Sequence, residues 1–316
     1  MFKFTDKAGI KVDDLLIFDH DKVIDYAKKH QDLLTDINVS KKTSKTIYGY
    51  NQYQHLIKIA YAQDAIEKIV LLKEAPRKKR IKMTITYDGS GFHGFQIQAH
   101  ERTVQGQMSR VISQITGDDI LVQGASRTDA LVHAREQVIH FDTDLDIPAE
   151  KWLEICNHQL PKDIYLRQVE FVHPLFHARY DVYQKTYLYQ IHMGPYNPFL
   201  ANYYWFQKDL DIGLMKKALK KLEGSHNFAS FSKDQEGDLV RTIYHTDIIK
   251  KDDVLTIKIV GNGFLRYMVR IIIHYLVSLG QGKVDVDIER VLDMRNRQVT
   301  NQIAPPQGLY LESIDY

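Results

Sequence analysis

Residues 264–279 form an apolar run interrupted by the basic side chains Arg266, Arg270 and His274. The run is shorter than the about 20 residues a bilayer span needs, so it reads as a helix buried in the core of a globular protein. Arg266 and Arg270 stand four apart and are expected on one helix face. A guanidinium among so many aliphatic side chains is costly unless a carboxylate meets it. A carboxylate paired with Arg270 is therefore expected. That pair is either a structural brace or part of a site.

The rest of the composition is compatible with a large core. The chain has 316 residues, 44% of them hydrophobic and 26% charged, as in ordinary globular proteins. One cysteine, Cys156, leaves no internal disulfide and fits a reducing compartment. No apolar stretch follows a basic start, so no signal peptide is expected and the location reads as cytoplasmic. No residue cluster has metal-ligand spacing. The net charge of +2 is unevenly spread: residues 1–80 carry 16 Lys and Arg against 11 Asp and Glu, a net of +5. The remainder is slightly acidic, so a polyanion bound there needs a local basic cleft rather than global attraction.

Along the chain, residues 23–34 and 53–72 show apolar recurrences every three or four positions and are expected as amphipathic helices. The basic run Arg77-Lys78-Lys79-Arg80 follows Pro76 and marks a boundary, read as a solvated tether or as a phosphate contact. The expected division is residues 1–80, a small helical appendage, then two units at 81–185 and 186–316. Residues 82–87 alternate polar and apolar as a half-buried strand does, and Asp88-Gly89-Ser90-Gly91 ends it in a turn. Thr103 is placed to cap a helix whose apolar face is Val104, Met108, Val111, Ile112 and Ile115. Strands are expected at 121–125, 137–141, 187–191 and 254–260, and an amphipathic helix at 211–222 closed by Gly224. The mixture points to an α+β fold rather than a wound parallel sheet.

Ser126-Arg127-Thr128-Asp129-Ala130 lies between two of these strands, with an Arg two residues before an Asp. From spacing alone it is weak, because surface Arg/Asp pairs are common and contribute about 0–1 kcal/mol. Lys216, Lys217, Lys220 and Lys221 form a basic helix face, usually solvated. Phe92 and Phe95 read as core, and His133 as a hydrogen-bonded imidazole beside the Asp loop.

A set of blocks in order raises the specificity. Tyr87-Asp88-Gly89-Ser90-Gly91-Phe92-His93-Gly94-Phe95 with Thr103-Val104-Gln105, then Arg127-Thr128-Asp129-Ala130-Leu131-Val132-His133-Ala134, then Phe176-His177-Ala178-Arg179 and Lys185-Thr186-Tyr187-Leu188-Tyr189, are followed by Gly263-Phe264-Leu265 with Met268-Val269-Arg270 and by Ala304-Pro305-Pro306-Gln307-Gly308-Leu309-Tyr310-Leu311. Together they resemble the TruA-type tRNA pseudouridine synthases over residues 81–316. The resemblance implies two similar halves whose antiparallel sheets join across a central cleft, with helices packed behind. It implies tRNA as substrate, with uridines of the anticodon stem-loop as targets, a homodimer and no cofactor. It implies Asp129 as the essential carboxylate and Arg270 as the ion pair that keeps it ionised. Tyr187 would pack on the target base and assist removal of the C5 proton. Arg127 would extrude or hold the nucleotide. Arg179 and Arg266 are expected to touch RNA, with a structural role for His177 and Arg179 equally open.

The chain departs from the family pattern at four places: Ser126 and Leu131 replace glycines, Phe95 a Trp, and Ile271 an Asn. Leu131 matters most, because glycine tolerates backbone angles that a branched side chain resists. The rival readings are a catalytically silent RNA-binding protein on the same scaffold and a carboxylate-based RNA glycosidase. The basic residues 1–80 are expected to add RNA contacts.

Overall fold

The structure, a computed structural model, describes residues 15–17, 38–43, 46–50, 56–62, 65–72 and 77–316. The first strands form a five-stranded antiparallel sheet: β1 (Leu15–Ile17), β2 (Asn38–Lys42), β3 (Thr46–Tyr50), β4 (Leu56–Ala62) and β5 (Ala65–Leu72), in spatial order β1-β5-β4-β3-β2. The helix expected over 53–72 is therefore corrected. Its apolar residues suit either period, but Ile57, Ile59, Ile66, Ile69 and Val70 among them are β-branched, and such side chains fit a pleated sheet better than a helix. Ala62 pairs with Ala65, and β4 and β5 run antiparallel to Leu56 and Leu72 with one register shift between Ala60 and Tyr61. Tyr48, Leu56, Ile57, Ile69 and Val70 are buried. The other expected helix, at 23–34, lies outside the described residues.

The second sheet has ten strands: β6 (Lys79–Tyr87), β7 (Gln123–Gly124), β8 (His133–Thr143), β9 (Ile164–Val172), β10 (Gln184–His192), β11 (Trp205–Phe206), β12 (Gly224–Asn227), β13 (Val240–Lys251), β14 (Val254–Gly261) and β15 (Leu309–Asp315). Its order is β12-β13-β14-β10-β15-β8-β6-β9, with β11 beside β10 and β7 beside β8. β6 buries every second side chain, as its alternation predicts. Most neighbours are antiparallel. The exceptions are β10 with β11 and β15 with β8, both parallel. β15 pairs antiparallel with β10 on its other edge, so the last strand joins the two halves into one sheet.

Helices α1 (Val104–Thr116), α2 (Ala149–Gln159), α3 (Ile212–Lys220), α4 (Met268–Gly280) and α5 (Ile288–Met294) complete the α+β fold. Thr103 caps α1 by accepting from Gly106 N at 3.3 Å, and Val104, Met108, Val111 and Ile112 are buried as the stripe predicted. Asp211 caps α3 through Leu214 N at 2.8 Å, but that helix ends at Lys220, short of residue 222. The strand expected over 121–125 shrinks to the two residues of β7. Leu121 before it is 57% exposed, whereas Val122 and Ala125 are buried. Among the described residues no helix is long and apolar enough to cross a membrane.

Three cations of the basic run are tied to the body of the protein. Lys79 and Arg80 begin β6, Lys78 pairs with Asp118 at 3.0 Å, Lys79 with Asp146 at 2.5 Å and Arg80 with Asp142 at 2.7 Å. The lysine-rich face of α3 is compensated in the same way. Lys216 pairs with Asp247, Lys220 with Glu223, and Lys221 with Asp287 and Glu289.

Candidate active site

The Asp loop is held by the backbone of the first strand–turn block. Phe95 N donates to Thr128 O at 3.0 Å, Leu131 N donates to Phe92 O at 3.1 Å, and Tyr87 and Thr128 share a hydroxyl–hydroxyl bond of 2.7 Å. Gly94 has φ +91, and a Cβ there would lie 2.8 Å from Thr128 O. A side chain is excluded at Gly94 both by backbone angle and by this close approach. Phe92 and Phe95 are buried beneath the loop, as expected. Leu131 itself adopts φ 64, so the chain keeps the glycine-like loop path at a steric cost of about 1–2 kcal/mol.

Asp129 projects from this loop into a cavity of about 810 Å³, also lined by Arg127, Arg179, Lys185, Tyr187, Phe264, Arg266 and Arg270. That volume suits a ligand of nucleotide size or larger. Arg270 Nη1 donates to Asp129 Oδ2 at 2.8 Å, and the two side chains are 12% and 26% exposed. The carboxylate demanded by the apolar helix is thus Asp129, 141 residues earlier in the chain. Arg270 is fixed in turn. Its Nε donates to Ala304 O at 2.8 Å, and Ala304 N donates back to Arg270 O at 3.1 Å. The Ala304-Pro305-Pro306 block thereby aims the guanidinium, and Tyr189 OH ties Pro305 O to the sheet at 2.7 Å.

The electrostatics differ from the expectation in one respect. Burial pushes the Asp129 carboxyl above its ordinary value, and Arg270, followed by Arg266 and Lys233, only partly offsets this. The cation favours the ionised form as expected, but desolvation outweighs it.

Arg266 also departs from expectation. Helix α4 begins only at Met268, after Tyr267 in the left-handed region at φ 61. Arg266 therefore precedes the helix and does not share a helical face with Arg270. Its backbone N donates instead to Asp234 Oδ2 at 3.0 Å. The Tyr267 ring nevertheless gathers the cations, with Arg266, Arg270 and Lys233 within 5.3, 5.2 and 4.8 Å of its centroid.

Tyr187 stands on β10, where its ring meets Phe264 edge-on at 5.2 Å and its hydroxyl bonds Ser126 Oγ at 2.8 Å. Burial pushes that hydroxyl up to about 12, so the phenol is neutral near pH 7. Among the described residues neither the Arg127 nor the Arg179 side chain has a hydrogen-bond or ion-pair partner. His177 is structural: its Nδ1 accepts from Arg179 N at 3.1 Å and Tyr180 N at 3.3 Å. His133 is hydrogen-bonded as expected, accepting from Gly89 N at 3.0 Å, and burial pushes its pKa down.

Lys185 was not singled out by its sequence. It lines the cavity, donates to Ala125 O at 2.8 Å, and is pushed down to about 8 by burial and then by Arg179 and Arg241. Its place two residues before Tyr187 on one strand face was the available signal. Among the described residues no three His, Cys, Asp or Glu side chains form a group able to hold a metal ion.

A loop-held carboxylate paired with an arginine, an aromatic floor and unpaired cations at the rim define a site for chemistry on a polyanionic nucleotide chain. The family model described as "tRNA pseudouridine synthase" matches residues 83–181 and again 218–316. The chain belongs to the tRNA pseudouridine synthase family. It is 45% identical over 244 residues to the tRNA pseudouridine synthase A of Geobacillus sp. (strain WCH70), covering 75% of this chain and 98% of that one. The tRNA pseudouridine synthase A of Anoxybacillus flavithermus is 43% identical, with 75% and 99% covered. That of Exiguobacterium sp. is 38% identical, with 75% and 98% covered.

Proposed function

We propose that this chain isomerises uridine to pseudouridine in tRNA, at the anticodon stem-loop, with Asp129 as the catalytic carboxylate. The observation that carries the reading is the Asp129–Arg270 pair, 2.8 Å long, at the wall of a nucleotide-sized cavity whose other cations are Arg127, Arg179, Arg266 and Lys185.

The reaction breaks the N1–C1′ bond, turns the uracil in place and joins C5 to C1′. The C5 proton leaves to solvent and N1 gains one, so no redox partner or cofactor enters the balance. An ionised carboxylate promotes this by adding to C1′ or by taking the C2′ proton. Either route needs the nucleotide out of its stack, at a cost of a few kcal/mol. Arg127 and Arg179 offset that cost by holding backbone phosphates, and Tyr187 receives the base on its ring. With its pKa raised to about 12 the Tyr187 hydroxyl is protonated near pH 7, so it assists C5 proton removal by passing its own proton to Ser126 as it takes the C5 one, and Ser126 releases its proton to water in the cavity it lines.

tRNA labelled with tritium at C5 of uridine tests the reading. Release of tritium to water is expected. Free uracil would make the protein a glycosidase, and neither product would make it a silent binder. The chain is further proposed to act in the cytoplasm as a homodimer. Tyr196 and Phe199 are 69% and 87% exposed in one loop, an apolar feature suited to a second copy. A monomer by light scattering would contradict the dimer.

A further inference from the structure

The first sheet reaches the body through a lysine that is almost wholly enclosed. Lys58 on β4 is 2% exposed, donates to Leu175 O at 3.1 Å and forms an ion pair with Asp181. Tyr48 on β3, equally buried, donates to the other oxygen of Asp181 at 2.6 Å. Lys58 thus bonds a turn at both of its ends, residues 175 and 181. Within that turn, Asp181 Oδ2 accepts from His177 N at 2.7 Å, Asp181 N donates to His177 O at 3.1 Å, and His177 Nδ1 accepts from Arg179 N at 3.1 Å. At the tip, Arg179 is exposed and lines the cavity.

A buried ammonium–carboxylate pair is a poor source of stability, because desolvating both ions offsets most of their attraction. It does fix geometry, since a charged pair surrounded by hydrogen bonds tolerates little displacement. We propose that Lys58 is a positioning residue: through Asp181 and His177 the N-terminal sheet holds the 175–181 turn so that Arg179 meets an RNA phosphate. The sheet then contributes to RNA affinity without touching RNA at this point. The inference rests on the reading of Arg179 as an RNA contact.

The test is a double-mutant cycle on the full chain, measuring KM for tRNA and kcat in Lys58→Met, Arg179→Ala and the combined variant, with a thermal melt of each. Arg179→Ala is expected to raise KM about tenfold, as loss of one charge-assisted phosphate contact does. Lys58→Met is expected to raise it about three- to tenfold with kcat within about twofold, and to add nothing in the Arg179→Ala background, because coupled residues are non-additive. An unchanged KM in Lys58→Met, or effects that multiply in the combined variant, overturns the inference and leaves Arg179 as an RNA contact. An unchanged KM in Arg179→Ala overturns both. Should Lys58→Met melt below the assay temperature, Tyr48→Phe, which removes one hydrogen bond to Asp181 and keeps the ring, decides by the same criteria.

Discussion

Arg270 Nη1 and Asp129 Oδ2 lie 2.8 Å apart, yet burial still leaves the carboxyl above its ordinary value. The pair is therefore a compensation: Arg270 limits how far desolvation raises Asp129. Activity that needs the ionised carboxylate should fall as pH drops through this raised value. The acid limb of kcat/KM is expected above the usual carboxylate value of 3.8. In Arg270→Met the limb should move to still higher pH, because the cation that opposed burial is gone. That variant should also lose about 1–3 kcal/mol of stability, less than for a fully buried pair, because Asp129 retains some solvent contact. A pH–rate profile of both proteins checks the sign.

Gly94 is the backbone contact most exposed to test. A Cβ there would press on Thr128 O at 2.8 Å in a backbone at φ +91. Gly94→Ala should cost about 1–3 kcal/mol in stability and displace the Asp loop, lowering kcat at least tenfold. Denaturant melts and single-turnover rates measure the two effects.

Ser126 stands where the family pattern has glycine and bonds the Tyr187 hydroxyl at 2.8 Å. Ser126→Ala should leave that buried hydroxyl without its partner, at a cost of about 1–2 kcal/mol. The effect on kcat should be no more than about tenfold, since the Tyr187 ring stays packed on Phe264. If Ser126 relays the C5 proton as proposed, tritium release should slow while KM is unchanged.

Leu131 occupies the left-handed region at φ 64 and is 41% exposed. Leu131→Gly should stabilise by about 0.5–1 kcal/mol, the steric relief exceeding the entropy lost on folding. The melting temperature should rise by about 1–4 °C, with activity retained.

Much of the site is legible in the sequence because its chemistry is concentrated in short blocks. An arginine in an apolar helix demands a carboxylate, and the Asp loop offers one. The two meet because β15 joins both halves into one sheet. Arg266 was misplaced because nothing in residues 264–268 signals the left-handed Tyr267 that delays α4. Strands β4 and β5 suggest a helix in the sequence because Leu56, Ile57, Ile59 and Ala60 satisfy either period. Their true partner, Asp181 in the body, lies over a hundred residues away. The net direction at Asp129 depends on burial, which residue spacing does not reveal.

Asp129→Asn with C5-tritiated tRNA tests the central claim most directly. The substitution keeps the side-chain shape and removes only the charge. The account predicts that tritium release falls by at least about 10³-fold while tRNA affinity stays within about threefold. Release within tenfold of the unsubstituted protein would contradict it.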